Sequence, residues 1–256
     1  MTDTLPSIAI GTVVWRTFEP RTVQCLMNAV CSAGNINAMI MNIGSSPVAR
    51  ARSMVAGQFL KDYDADVLVT IDSDIVFSPQ DVQEVAAVAH ETGGIAGAIY
   101  MCRAAERNNP TSVLPEVPVI FGPESDPVPM RWLAGGFMSV SRRAFKVMEP
   151  HVPLYREGTD MEFRNYYEEF ATDLEIAGGV EHVHLSEDYA ICERAQQLGI
   201  PVHLVPSIRL GHIGSYEYNL DDMLRSARQH SERTLIHKQG YNVEVRAVDA
   251  EGVALP

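Results

Sequence analysis

The chain has 256 residues, 46% of them hydrophobic, and 33 acidic side chains against 20 basic ones give a net charge of −13. This composition belongs to a globular chain close to the size at which one core stops growing, and it argues against a surface built to grip a polyanion, which needs clustered Lys and Arg, while leaving a nucleic-acid acceptor open. Nonspecific nucleic-acid binding is therefore not expected. All the basic residues except Lys61, Lys146 and Lys238 are arginines, suited to forked contacts with phosphate or carboxylate. Cys25, Cys31, Cys102 and Cys192 include no C-x-x-C pair and are too sparse for a disulfide framework. With no leader-like or membrane-spanning run in the sequence, a cytoplasmic location is expected.

Residues 7–14, short and rich in β-branched side chains, predict a buried first strand. Pro20 opens a helix marked by Val23, Met27 and Val30 and stopped at Gly34, and residues 37–43 return to strand character. Ser45-Ser46-Pro47 is a helix entry with a serine N-cap and proline at the first position, after which Val48, Ala51, Val55 and Phe59 mark an apolar face. Residues 66–71, with Val67-Leu68-Val69 at their centre, form the central strand. Ser78-Pro79 starts a helix over Val82, Val85, Ala86 and Ala89, and residues 94–100 make a fourth strand. This βαβαβαβ order predicts an α/β fold, a Rossmann-type and mostly parallel sheet with helices on both faces.

Residues 103–129, punctuated by Pro110, Pro115, Pro118, Pro123, Pro127 and Pro129, predict a long irregular excursion. Residues 132–141 are strand-like around Gly135-Gly136, and 142–148 a short helix. Residues 151–184 show no clean period and read as a variable loop region. A helix over 186–198 stopped by Gly199, a last strand over 201–205, a loop over 210–216 and an amphipathic C-terminal helix over 220–238 complete the chain. One domain is expected over 1–218, with the C-terminal helix and tail over 219–256.

Strand ends in a doubly wound sheet open onto the ligand crevice, and here the central strand delivers Asp72-Ser73-Asp74. Two carboxylates one residue apart can both reach a hard cation such as Mn²⁺ or Mg²⁺, which in turn neutralises a diphosphate. The alternative is a pair of solvated aspartates near a helix start.

On these residues the chain resembles the GT-A-type glycosyltransferases, family-two-like nucleotide-diphospho-sugar transferases whose D-x-D motif follows an apolar strand. The resemblance extends over residues 7–218 and implies a nucleotide-binding half over 1–100 and an acceptor and sugar half over 101–218. Ala51-Arg52-Ser53 is similar to an Ala-Arg-Asn segment of such enzymes, with Ser53 in place of the asparagine. Trp132-Leu133-Ala134-Gly135-Gly136-Phe137 resembles the small-residue strand beneath the sugar. Ser186-Glu187-Asp188-Tyr189, with Arg194-Ala195 and Gly199, resembles the acidic helix start that faces the acceptor. In Leu210-Gly211-His212-Ile213-Gly214-Ser215-Tyr216, His212 matches by order the late histidine that completes the metal shell in many members, and a neutral imidazole suits manganese-like ions.

The resemblance implies transfer of a sugar from a UDP- or GDP-sugar to an acceptor hydroxyl, with either stereochemical outcome. Mn²⁺ or Mg²⁺ would be held by Asp72, Asp74 and His212. The donor would meet Thr12, Val13, Arg52, Asp72, Ser73, Gly135 and Gly136, and Asp188 would serve as base with Glu187 as its competitor. Acceptor choice would reside in residues 103–129 and 151–184.

Plainer readings stand beside these. Glu187 and Asp188 suit the first turn of any helix, Gly135-Gly136 suits a strand kink, Trp132 fits a core as well as a sugar face, and Arg50 reads as an exposed helix arginine. Asp72-Ser73-Asp74-Ile75-Val76 also fits the nucleophile loop of haloacid-dehalogenase-like phosphohydrolases, but two strands precede it and no Gly-Asp acidic motif comes after it. A nucleotidyltransferase would need a glycine-rich first loop, and residues 10–15 hold one glycine. A noncatalytic sugar-nucleotide-binding module would keep the same residues. Leu220, Met223, Leu224, Ala227 and Leu235 would let the C-terminal helix pack on the core or on a second subunit, which admits a homo-oligomer.

Overall fold

The computed structural model describes residues 5–44, 47–103, 110–113, 115, 117–157, 161–176, 179–220, 222, 232–239 and 242–255. Strand and helix alternate through the first part of the chain: β1 (Ile8–Val14), α1 (Pro20–Ser32), β2 (Ile36–Ile43), α2 (Val48–Asp62), β3 (Val67–Ile71), β4 (Ile75–Val76), α3 (Pro79–Thr92) and β5 (Ile95–Gly97). Short strands dominate thereafter. They are β6 (Val119–Phe121), β7 (Val128–Pro129), β8 (Phe137–Ser141), then, after α4 (Arg142–Met148), β9 (Leu154–Glu157), β10 (Met161–Arg164), β11 (Phe170–Ile176) and β12 (Gly179–Leu185). The chain continues through α5 (Glu187–Gln197), β13 (Val202–Leu204), β14 (Gly211–Ile213), β15 (Glu217–Asn219), β16 (Arg233–Gln239) and β17 (Asn242–Val248).

The main sheet has the order β2-β1-β3-β8-β5-β13-β7. β3 is buried along its whole length, which is why its sequence is a continuous apolar run rather than an alternating one. Val67, Val69 and Ile71 enter a core shared with Leu26 of α1 and Val82, Val85 and Ala86 of α3. Leu68 points to the opposite core, with Phe59 of α2, Phe145 of α4 and Ile191 of α5. Helices thus cover both faces, as the alternation predicts. α3 is fixed at its start by a reciprocal capping box in which Ser78 Oγ accepts from the Asp81 N–H and Asp81 accepts from the Ser78 N–H. The serines expected to cap α2, Ser45 and Ser46, lie outside the described residues.

Three expectations are corrected. The mostly parallel sheet is mixed: β1 runs parallel to β2 and β3, and β13 to β5, but β8 is antiparallel to both β3 and β5, and β7 to β13. The reason is the excursion after β5. Among the described residues it contains no helix, only β6 and β7, and β8 enters the sheet from the crevice end, starting at Phe137 opposite Ile71 and descending to Ser141 opposite Val67. The region expected as loop over 151–184 holds two hairpins, β9 with β10 and β11 with β12. β9 with β10 is mostly exposed, and in β11 the half-buried Phe170, Thr172 and Leu174 alternate with exposed Ala171, Asp173 and Glu175, a weak two-residue period within a polar segment.

The C-terminal helix expected over 220–238 is a strand at its far end: β16 pairs with β17 and with β6. Thr234 and Ile236 are buried there, and tertiary pairing outweighs local helical spacing. Residues 221 and 223–231 lie outside the described residues. Within the expected loop over 210–216, β14 pairs with β4 so that His212 stands opposite Ile75, and this register brings the histidine beside the D-x-D segment. Among the described residues no helix is long and apolar enough to cross a membrane.

Candidate active site

β3 ends at Ile71, and backbone hydrogen bonds hold the Asp72-Ser73-Asp74 segment beyond it. The Asp72 N–H donates to the Gly136 carbonyl at 2.9 Å, the Glu19 N–H to the Ser73 carbonyl at 2.9 Å and the Ile213 N–H to the Asp74 carbonyl at 2.8 Å. The acidic motif is therefore pinned between the mouth of β8, the entry to α1 and β14.

Arg52 is the buried centre of one side. Its Nη2 donates to Asp72 Oδ1 at 2.8 Å and its Nη1 to Glu187 Oε1 at 2.8 Å, with the side chain only 4% exposed. Burial alone would weaken this cation, but the charges of Asp72 and Glu187 more than reverse that and hold its proton more tightly than usual. Burial pushes the Glu187 carboxyl up, against the opposing pull of Arg52. Ser53, next to Arg52, donates its hydroxyl to Asn165 at 2.8 Å and accepts from the Tyr167 N–H at 3.2 Å.

The glycine pair is required by the protein's own side chains. A Cβ on Gly135 would fall within the van der Waals shell of the Arg52 guanidinium, and one on Gly136 would collide with the Tyr100 hydroxyl. Both backbone N–H groups are used: Gly135 donates to Asp188 Oδ2 at 3.0 Å and Gly136 to Tyr100 Oη at 3.0 Å. The other oxygen of Asp188 accepts from the Ser186 hydroxyl and from the Tyr189 N–H at 2.9 Å. Asp188 thus latches the start of α5 onto the glycine segment. Trp132 is buried, stacks on Tyr189 with centroids 5.2 Å apart and donates its indole N–H to Glu193 at 2.8 Å; it fills the core beneath α5.

Asp74 forms the other side. Its Oδ2 accepts from Arg103 Nη1 at 2.8 Å and lies 3.6 Å from His212 Nε2. His212 Nδ1 is 2.8 Å from the Met101 carbonyl. A carbonyl can only accept, so Nδ1 carries hydrogen and Nε2 is the ring nitrogen turned toward the carboxylate. A carboxylate and an imidazole nitrogen that face each other can share a cation or a proton, and a histidine oriented by a backbone carbonyl is the usual support of a metal ligand. Burial would raise the Asp74 carboxyl, but His212 and Arg103 hold it below its ordinary value. The donor chemistry fits a divalent ion, although among the described residues no three His, Cys, Asp or Glu side chains are grouped closely enough to hold one unaided.

The fold therefore brings Arg52, Asp72, Gly135, Gly136, Glu187 and Asp188 into one network and sets Asp74 and His212 against its edge, with Tyr100 edge-on to the imidazole at 5.0 Å. Thr12 and Val13 end β1 at the same edge of the sheet, since Gly11 pairs with Thr70, but no hydrogen bond links their side chains to the acidic cluster among the described residues. Arg50 lies over the Phe163 ring. Sequence reasoning missed Tyr100 and Arg103. Both come after β5 at the crevice end of the sheet, and an aromatic hydroxyl and a cation just past a strand end were the available signal.

No protein-family model and no curated protein sequence matches this chain. Among solved structures it is similar to A197 from STIV, with a TM-score of 0.47 and 14% identity over 80% of this chain and 85% of that one. It is also similar to GalNAc-T7, crystallised with UDP, GalNAc and Mn²⁺, with a TM-score of 0.44 and 13% identity over 82% of this chain and 43% of that one. Neither overlay is close enough to assign a fold family or a chemistry.

Proposed function

We propose that the protein is a metal-dependent glycosyltransferase that moves a sugar from a nucleoside diphosphate sugar to an acceptor hydroxyl. The observation that carries this reading is the convergence, at the crevice end of the main sheet, of the acidic motif with Arg52, Gly135-Gly136, the acidic start of α5 and His212. These segments are far apart in sequence, and each brings residue types that the same chemistry needs. Asp74 and His212 would hold Mn²⁺ or Mg²⁺, with Asp72 beside them. The bound ion supplies positive charge to the leaving diphosphate.

The chain's own residues do the rest. Arg52 orients Asp72 while Glu187 fixes Arg52 from the other side. Asp188, held at a set distance from the donor floor by the Gly135 N–H, accepts the proton of the attacking hydroxyl. Thr12, Val13 and Ser73 border the nucleotide.

Calorimetric titration with UDP and with GDP, each with and without Mn²⁺, tests the reading. One nucleotide is expected to bind only with metal, and an Asp72→Ala/Asp74→Ala variant is expected to lose that binding. Asp188→Asn is expected to keep it and to lose slow hydrolysis of the corresponding sugar nucleotide. Failure of the folded wild type to bind either nucleotide in the presence of metal overturns the proposal.

A further inference from the structure

The Asp74 carboxylate is shared by two groups of different character. His212 is buried and its ring is fixed by the Met101 carbonyl. Arg103 has a side chain that is 50% exposed and is held by Asp74 and, at 3.3 Å, by the Ile213 carbonyl. Its aliphatic stem lies against Gly214, where a Cβ would come within 2.9 Å of Arg103 Cδ. The glycine leaves the stem a path along β14. The guanidinium therefore bonds the same Oδ2 that faces His212 Nε2, the carboxylate oxygen to which a cation shared by both residues would bind.

Resting on the functional reading above, we propose that Arg103 is a mobile stand-in for the divalent cation. It neutralises Asp74 in the metal-free protein and, once released, offers its guanidinium to the donor diphosphate. The electrostatics require some such partner. Two aspartates one residue apart repel unless each is matched, and Arg52, locked between Asp72 and Glu187, serves only the first. Arg103 is suited to a temporary role because a half-exposed ion pair contributes roughly 0.2–1 kcal/mol, little enough for metal binding to displace it. A planar guanidinium freed beside a diphosphate is matched to it in charge and in fork geometry.

The two halves of the role predict opposite signs. Mn²⁺ is titrated alone into wild type, Arg103→Ala and Arg103→Lys, and then the nucleotide is titrated at saturating Mn²⁺. Arg103→Ala is expected to bind Mn²⁺ about two- to fivefold more tightly, the factor that corresponds to losing an exposed competitor pair, and to bind the nucleoside diphosphate about tenfold more weakly. Arg103→Lys, which keeps the charge, is expected to fall between the two. A merely structural arginine would not tighten metal binding on removal. Unchanged or weaker Mn²⁺ binding by Arg103→Ala overturns the proposal, and so does unchanged nucleotide affinity. If wild type binds Mn²⁺ but no nucleotide, the functional reading fails, and the diphosphate half of this proposal fails with it. If wild type binds both and Arg103→Ala changes neither, only the role of Arg103 fails.

Discussion

The two aspartates of the acidic motif are one residue apart, and each is paired with an arginine, but the pairs are built differently. Asp72 meets Arg52, a buried guanidinium that also holds Glu187 and rests against Gly135. Asp74 meets Arg103, whose side chain is half in solvent and whose second partner is a backbone carbonyl. One side joins α2, β3, β8 and α5 through charges that have nowhere else to go. The other side ends in an arginine half in solvent, whose charge is the exchangeable one in the proposed role of Arg103. A fixed frame next to an exchangeable ligand is what a site needs if it must hold geometry while taking up and releasing a cation.

The most damaging way to test the contrast is to remove the buried charge. Arg52→Met leaves Asp72 and Glu187 facing each other without a counter-ion, and breaking a buried pair in this way costs about 3–5 kcal/mol. Urea unfolding should show a loss of this size, and a loss below about 1 kcal/mol would mean that the frame is no frame. A smaller effect separates the two sides by steric means. Gly135→Ala drives a methyl into the locked Arg52 guanidinium and should cost about 1–3 kcal/mol. Gly214→Ala meets the stem of Arg103, which can swing into solvent, touches the Tyr218 ring at 3.4 Å, and should stay within about 0.5 kcal/mol. Equal losses in the two variants would show that Arg103 is held as firmly as Arg52.

The same contrast explains what could be read from the sequence. Much of the frame was legible, because Asp72 follows an apolar strand, Gly135 sits in a glycine pair and Glu187 and Asp188 open a helix, while only the family resemblance separates Arg52 from Arg50. The alternating first part of the fold was legible for the same reason, with β3 and α3 carrying apolar runs and caps that match their tertiary environment. What stayed hidden depends on partners distant in sequence. β8 reads as a strand, but its antiparallel direction shows only in its pairing with β3 and β5. Leu220, Met223, Leu224, Ala227 and Leu235 have helical spacing, and pairing with Val119–Phe121 and Asn242–Val248 makes Arg233–Gln239 β16. Arg103 sits in a proline-punctuated excursion without periodicity, and only β14 pairing with β4 brings Asp74 and His212 together beside it.

The finest test uses acid, because the carboxylates on the two sides carry opposite signatures. Burial raises the Glu187 carboxyl above its ordinary 4.5, so its contribution to stability is complete below that value and is lost as pH rises through the folded one. Glu187→Gln should therefore flatten a decline in stability that begins just above pH 4.5. His212 and Arg103 hold the Asp74 carboxyl below its ordinary 3.8 despite burial, so its contribution is present above 3.8 and is lost as pH falls through the folded value. Asp74→Asn should flatten the acid limb below that point and leave the higher range unchanged. Melting temperatures of wild type and both variants between pH 2.5 and 7 would show the two differences at opposite ends of the curve. If both variants altered the same limb, the open and the buried sides of the motif would be one coupled unit, and a cation could not be exchanged at Asp74 without disturbing Arg52.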